Sequence, residues 1–171
     1  ACTLAAMISV VIPTLNAEQG LAATLAALIP AAVDGLVREV IIVDGGSNDR
    51  TLRIADDAGA QIVPSESGRG RQLIAGAAKA RSDWILFLHA DTTLSAGWAA
   101  ASRHLMAQPS NAPQAGYFRL RFDSADPRAR RIGWQAIPRL VEQRWIKTVE
   151  HHAIETPQQF SARNVQAWSR A

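Results

Sequence analysis

The chain has 171 residues, and several kinds of residue are scarce in it. Cys2 is the only cysteine, so no internal disulfide can form. That excludes a disulfide-stapled secreted scaffold and fits a reducing, cytoplasmic setting. Aromatic residues make up 6% of the chain and do not interleave with a basic stripe, so nucleic acid is not expected among its partners. No apolar run approaches the roughly 20 residues that a membrane-spanning helix needs. Residues 1–11 are apolar but have no basic start and run straight into a strand pattern, which is not how a signal peptide is built. Met7 is the expected natural start, with residues 1–6 as an upstream extension. Low-complexity tracts and internal repeats are absent as well.

What is present is ordinary globular material. Hydrophobic residues make up 48% and charged residues 19%, enough to bury a core within a single domain over residues 1–171. The net charge of +3 is unevenly placed. Residues 1–120 carry nine Lys/Arg and ten Asp/Glu, whereas residues 121–171 carry nine Lys/Arg and five Asp/Glu. A basic tail of this kind suits acidic lipid headgroups or a phosphorylated ligand, so peripheral membrane contact is one expectation, against a plain solvated helix face.

Along residues 8–90, strand and helix signals alternate. Ile8-Ser9-Val10-Val11-Ile12 is a β-branched strand that Pro13 is expected to stop. Asn16 is a candidate N-cap for a helix bearing Leu21, Leu25 and Leu28. Val40-Ile41-Ile42-Val43 is a second buried strand. Ser47 or Asn48 would cap the following helix, whose apolar side includes Leu52, Ile54, Ala55 and Ala58. Gln61-Ile62-Val63 is a short third strand, Gly68 to Gly70 a loop, and Gln72 to Ala80 an Ala-rich helix. Trp84 to Leu88 completes the series as a strand buried on both faces. This βαβαβαβ rhythm predicts an α/β fold with a mostly parallel sheet flanked by helices. Farther on, Ala96 to Ala107 is expected to be helical. Tyr117 to Phe122 alternates as a half-exposed, antiparallel strand, and Leu140 to His152 and Ser161 to Ser169 are further helical stretches.

Ligands of open α/β sheets sit beyond the carboxyl ends of the strands, so the residues there are the candidates for chemistry. Pro13-Thr14-Leu15-Asn16-Ala17-Glu18 follows the first strand and either offers free N–H groups to a polar ligand or is a plain cap. Asp44-Gly45-Gly46-Ser47 follows the second. Asp44 can accept a hydrogen bond from a base or a ribose, and the glycines let a ligand approach the backbone, while Asp49 suits the helix dipole. Gly68-Arg69-Gly70-Arg71 lacks the spacing of a Walker loop and is either a phosphate or base clamp or a basic surface loop. His89-Ala90-Asp91 ends the fourth strand. Asp91 can hold a divalent metal that bridges a diphosphate, with His89 as a second ligand or an orienting partner. Glu150-His151-His152 and Glu155 lack the spacing of a zinc protease and form either a metal-completing group or an exposed helix end.

Taken together, Ile8 to Asn16, Glu39 to Thr51 and Phe87 to Thr92 resemble the family 2 glycosyltransferases with the GT-A fold, over roughly residues 7–122. The wording Gly68-Arg69-Gly70-Arg71-Gln72 and Leu88-His89-Ala90-Asp91 is similar to one bacterial subgroup, associated with radical-SAM/selenodomain or arsenosugar gene clusters. The resemblance implies a GT-A, Rossmann-like sheet with residues 7–92 as a nucleotide-sugar-binding half and 93–171 as an incomplete acceptor-side half. It implies a nucleotide-diphosphate sugar donor, a UDP-sugar foremost. The donor-binding set it implies is Pro13, Thr14, Asn16, Glu18, Asp44, Gly45, Gly46, Arg71, His89 and Ala90. Asp44 matches the base-recognising aspartate, and Asp91 the last aspartate of the DxD motif that holds Mn²⁺ or Mg²⁺, with His89 in place of the first. Gly45 stands where the second aspartate of the usual Asp-Asp-Gly-Ser pattern lies. The implied reaction is inverting transfer to an acceptor hydroxyl. The acceptor-side motif that carries the base is missing, which leaves Asp126, Glu142 and Glu150 as weak candidates and suggests an acceptor-side loop absent from the sequence. A homodimer is among the expected partners, and the acceptor is unassigned. The alternatives are a non-catalytic nucleotide-sugar-binding or scaffold protein and a nucleotidyltransferase. The latter would carry a Gly-rich basic loop directly after strand one, which Pro13-Thr14-Leu15-Asn16 is not.

Overall fold

The β-branched runs form the middle of a sheet. In the computed structural model, which describes residues 6–109, 114–116 and 118, β1 spans Ile8–Thr14 and β2 spans Val37–Asp44. Val10, Val11, Ile12, Ile41, Ile42 and Val43 are wholly buried, as continuous apolar runs must be when both sheet faces are covered. β3 (Gln61–Pro64) and β4 (Trp84–Phe87) flank them in the order β3-β2-β1-β4, with every pairing parallel. The helices between them are α1 (Leu21–Ala26), α2 (Ile29–Val33), α3 (Thr51–Asp57) and α4 (Arg69–Ala77). This is the expected α/β architecture.

Two helix surfaces cover the sheet. α4 lies on the face of Val11, Ile41 and Val43, and a Cβ on its Gly76 would collide with the methyl groups of Val11 and Val43, so only glycine permits this approach. On the other face, Val40 shares a cavity wall with Leu25, Leu28 and Ile54 of the α1–α3 side. Leu21, Leu25 and Leu28 are buried as their spacing predicts.

Among the described residues, those up to Thr93 form one compact unit and those from Leu94 belong to a second. In the second unit the expected helix is α5 (Trp98–Met106), with Trp98, Ser102 and Leu105 buried along one stripe. Phe118 is half-buried and outside any strand; the rest of the 117–122 strand and the helices expected over 140–152 and 161–169 lie outside the described residues. Among the described residues no helix is long and apolar enough to cross a membrane.

Five expectations are corrected. Pro13 does not end β1, which continues to Thr14. The Thr14 carbonyl accepts from Gly45 on the β2 side, so Pro13 turns its missing N–H toward the β4 side, where β4 has already ended at Phe87. Asn16 does not cap α1 and neither Ser47 nor Asn48 caps α3, since those helices begin after Gly20 and Arg50 with no side-chain cap. Their polar side chains are engaged between loops. Arg69 and Gly70, expected in a loop with Gly68, stand in the first turn of α4, because Gly68 at φ 145° makes the turn alone. β4 is an edge strand of the described sheet, with Phe87 38% exposed, and not buried on both faces. In α3, Leu52 and Ala58 of the expected apolar side are exposed, and Ala55 alone of that set is fully buried.

Candidate active site

Sheet order reverses between β1 and β4: the chain steps from β1 outward to β2 and β3, then returns to place β4 on the other side of β1. The crevice beyond the carboxyl ends of such a pair is where ligands of open α/β sheets bind. The loops after β1, β2 and β4 gather there.

Asp44, 5% exposed, closes β2. Its Oδ1 accepts from Thr14 Oγ1 at 2.9 Å and from Ser47 Oγ at 2.5 Å. Its Oδ2 accepts from the backbone N–H groups of Gly46 at 2.9 Å and Ser47 at 2.8 Å. Burial alone would raise its pKa, but the bonds from Ser47, Gly46 and Thr14 outweigh it and hold the carboxyl below its ordinary value. Gly46, at φ 97°, makes the turn that aims two N–H groups at one carboxylate oxygen. The side chain expected to face a nucleobase thus has all of its roughly four acceptor positions engaged by Thr14 at the end of β1 and by its own loop. Gly45 is crowded, because a Cβ there would lie 3.2 Å from both Ser67 Cα and Gln72 Nε2. The buried Gln72 explains the crowding: its Nε2 donates at 2.8 Å to the carbonyls of both Thr14 and Val43, tying together the ends of β1 and β2.

The β1 and β2 loops are laced to each other. Asn16, at φ 51°, donates its N–H to Ser47 Oγ at 2.9 Å, and its Oδ1 accepts from Asn48 N–H at 2.8 Å. Ala17 N–H donates to Thr51 Oγ1 at 2.7 Å and Glu18 N–H to Asp49 Oδ2 at 3.1 Å. In return, Glu18 Oε2 accepts from Arg50 N–H at 3.0 Å and Arg50 Nε at 3.3 Å. Asp49, just before α3, also accepts from Thr51 N–H at 2.9 Å. Against the upward pull of burial, the Thr51 and Glu18 donors lower its pKa, in line with the structural role expected of it. Six bonds thus make two loops more than thirty residues apart into one rigid element, which Asn16 and Glu18 serve as braces.

Beyond β4, Leu88 is buried and its N–H extends the sheet to the Val11 carbonyl at 3.0 Å. His89 is half-buried, Ala90 buried and Asp91 exposed. Thr92 N–H returns to the His89 carbonyl at 3.2 Å, which makes Ala90 and Asp91 the central pair of a turn. That turn rests on α1: Thr24 Oγ1 donates to the Ala90 carbonyl at 2.8 Å, and Gly20 lies directly against Asp91. Among the described residues no three His, Cys, Asp or Glu side chains cluster as a metal cage. A site with one exposed carboxylate, and His89 two residues before it, fits a hard cation that takes its remaining oxygens from a diphosphate and water, as Mg²⁺ and Mn²⁺ do, and does not fit a structural zinc.

The structure therefore brings Pro13, Thr14, Asn16, Glu18, Asp44, Gly45 and Gly46 together, and it seats Ala90 and Asp91 on α1. Arg71, in the first turn of α4, is ion-paired with Glu66. Asp126, Glu142 and Glu150 lie outside the described residues. Sequence reasoning missed Gly20, Thr24, Thr51 and Gln72. The available signal was polarity on a buried stripe: Thr24 shares α1's inner side with Leu21 and Leu25, and Gln72 shares α4's with Gly76.

The family model of Glycosyl transferase family 2 matches residues 9–166. A glucosyl-3-phosphoglycerate synthase of Mycolicibacterium paratuberculosis is 37% identical over 93 residues, covering 49% of this chain and 28% of the relative. A glycosyltransferase of PGL/p-HBAD biosynthesis from Mycobacterium bovis is 35% identical over 103 residues, covering 53% of this chain and 37% of the relative. The chain thus spans between about a quarter and two-fifths of the length of these curated relatives. The crystal structure of glucosyl-3-phosphoglycerate synthase from Mycobacterium tuberculosis in complex with UDP is similar with a TM-score of 0.60 and 25% identity, over 81% of this chain and 50% of that one. Other structures of that synthase hold UDP with Mn²⁺ or with Mg²⁺.

Proposed function

The chain belongs to glycosyl transferase family 2, and from that premise we propose that it carries the donor-binding part of an enzyme moving a sugar from a nucleotide-diphosphate sugar to an acceptor hydroxyl. The observation that carries this reading is the interlocked pair of loops at the carboxyl ends of β1 and β2, beside an exposed Asp91 at the reversal of strand order. The donor is a UDP-sugar, a reading supported by the UDP complex of the similar synthase.

In this reading the laced loops form a fixed wall for the nucleoside. Asp44 acts by holding the Gly46–Ser47 backbone, and the base meets that backbone. Asp91, with His89, would hold a divalent cation, which would supply positive charge to the diphosphate. Arg71 adds positive charge from the first turn of α4. The acceptor hydroxyl attacks the anomeric carbon with inversion, its proton passing to a carboxylate beyond the described residues, with Asp126, Glu142 and Glu150 as the candidates. The subgroup wording in Gly68 to Gln72 and Leu88 to Asp91 supports membership of the radical-SAM- or arsenosugar-associated branch. Residues 7–92 as donor half, residues 93–171 as acceptor side, a homodimer, and a cytoplasmic protein touching membranes through its basic 121–171 segment complete the proposal.

Calorimetric titration of UDP, GDP and dTDP, with and without Mn²⁺, into the wild type and Asp91→Ala tests it. Mn²⁺-dependent binding of UDP above the other two, lost in Asp91→Ala, is expected. A folded chain that binds none of the three overturns the reading. Binding with no transfer across a panel of acceptors would favour the non-catalytic nucleotide-sugar-binding alternative.

A further inference from the structure

We propose that Thr24, with Gly20 one helical turn before it, is a positioning residue that aims the carboxylate of Asp91 at the cation. The proposal rests on the metal reading given under the proposed function.

Ala90 and Asp91 are the central residues of the turn closed by Thr92 N–H and the His89 carbonyl. The two common turn types differ by a flip of the peptide between those central residues. Flipping it requires positive φ at the second of them, and among the described residues only Asn16 and glycines have positive φ. The Ala90 carbonyl belongs to that peptide, and Thr24 Oγ1, wholly buried, donates to it at 2.8 Å. The same oxygen lies 3.2 Å from the Gly20 carbonyl, but a hydroxyl has one proton, and the shorter contact takes it. The bond therefore selects one orientation of the peptide, and with it the direction of the Cα–Cβ bond of Asp91.

Gly20 supplies the second constraint. Its φ of −106° and ψ of −30° suit any residue, so its small size answers a need for space and not for conformation. A Cβ there would lie 2.9 Å from Asp91 Cα and 3.0 Å from the Ala90 oxygen, both backbone atoms that cannot swing aside. Thr24 pulls the turn onto α1, and Gly20 sets how close it comes. Partners of this kind, one bond removed from a metal ligand, commonly set metal affinity.

The test is calorimetric titration of UDP into the full chain with and without Mn²⁺, for the wild type, Thr24→Val, Thr24→Ser and Gly20→Ala, with thermal melts of each. In Thr24→Val, the gain in UDP affinity from Mn²⁺ is expected to fall about tenfold while metal-free UDP binding stays within about twofold of wild type. Thr24→Ser should keep the gain, and Gly20→Ala should behave as Thr24→Val does. A purely structural role would lower both kinds of binding together, and that result overturns the proposal. So does an undiminished Mn²⁺ gain in Thr24→Val, or in Gly20→Ala should the valine variant not fold. A wild type that binds UDP equally with and without Mn²⁺ is a different failure: it removes the metal reading and the inference built on it.

Discussion

At the amino end of the sheet, Glu39 accepts from Ser9 Oγ at 2.7 Å and from Arg81 through both its backbone N–H at 2.8 Å and its Nε at 2.7 Å. At the carboxyl end, Asp44 accepts from two hydroxyls and two backbone N–H groups. In both, burial pulls the pKa up and the donors hold it down. Each carboxylate joins β1 to β2. A saturated, acid-shifted carboxylate therefore does not mark a binding site, and its value as a pointer depends on what surrounds it. Around Glu39 the neighbours close inward: Ser82 N–H caps Ser9 Oγ at 3.1 Å, and the knot ends in an exposed arginine. Around Asp44 the bonds hold open loops, with Gly46 and Asp91 exposed on a crevice where strand order reverses. The chemistry is alike; the topology decides which end can take a ligand.

Replacing each carboxylate should separate the two roles, and Asp44→Asn should have the larger effect. The amide turns a donor toward groups that already donate, inside a site 5% exposed. Bonds to a charged acceptor contribute about 1.5–3 kcal/mol each and several are disturbed, so a loss near 3 kcal/mol is expected in chemical denaturation. UDP binding should fall more than about tenfold as the β2 loop slackens. A stable Asp44→Asn variant with intact UDP affinity would show that the loop holds its shape without the charge, and the comparison would break.

The elements that frame this contrast were legible in the sequence; the duties of their side chains were legible only in part. Continuous β-branched runs announced β1 and β2, because burial on both faces demands them. The position of Asp44 and Asp91 at strand ends followed from the same runs. Asn16 was legible as polar and turn-forming, yet cap and brace are chemically the same act, a side-chain oxygen accepting a backbone N–H. Its partner is Asn48, thirty-two residues away, and no local pattern encodes that distance. Gln72 and Thr24 escaped for the same reason, since each donates to carbonyls fixed by the packing of helix on sheet. The apolar run of β4 matches those of β1 and β2 although β4 lies at the edge; periodicity reports apolarity, and not how many neighbours a strand will have.

Glu39→Gln should cost less, about 1–2 kcal/mol, because Arg81 is 63% exposed and its share is screened by water. UDP binding should be unchanged, and a clear loss would mean that the two ends are not independent. Acid sharpens the pair. Both folded pKa values lie below their unfolded ones, which are about 3.9 for Asp and 4.3 for Glu. Their stabilisation is complete above those values and disappears as pH falls through the lowered folded ones. Stability of the wild type should therefore drop steeply below about pH 4, and each variant should show a shallower fall, measured by denaturation at a series of pH values. An Asp44→Asn slope equal to wild type would mean that this carboxyl is not held down in solution.

The smallest expected effect lies in the amino-end knot, at a group that belongs to no bond. Ser82 gives its N–H to Ser9, but its buried Oγ has no hydrogen-bond partner among the described residues. A buried hydroxyl without a partner costs about 1–3 kcal/mol relative to water, an amount that removal can return less the small packing contribution of one oxygen. Ser82→Ala should therefore be neutral or stabilising by up to about 1 kcal/mol in thermal denaturation, whereas removing a hydroxyl from the Asp44 ring, as in Ser47→Ala, takes away a donor in use. Loss of stability in Ser82→Ala would show that this hydroxyl finds a partner in solution, and the amino-end knot would then be as fully satisfied as the ring around Asp44.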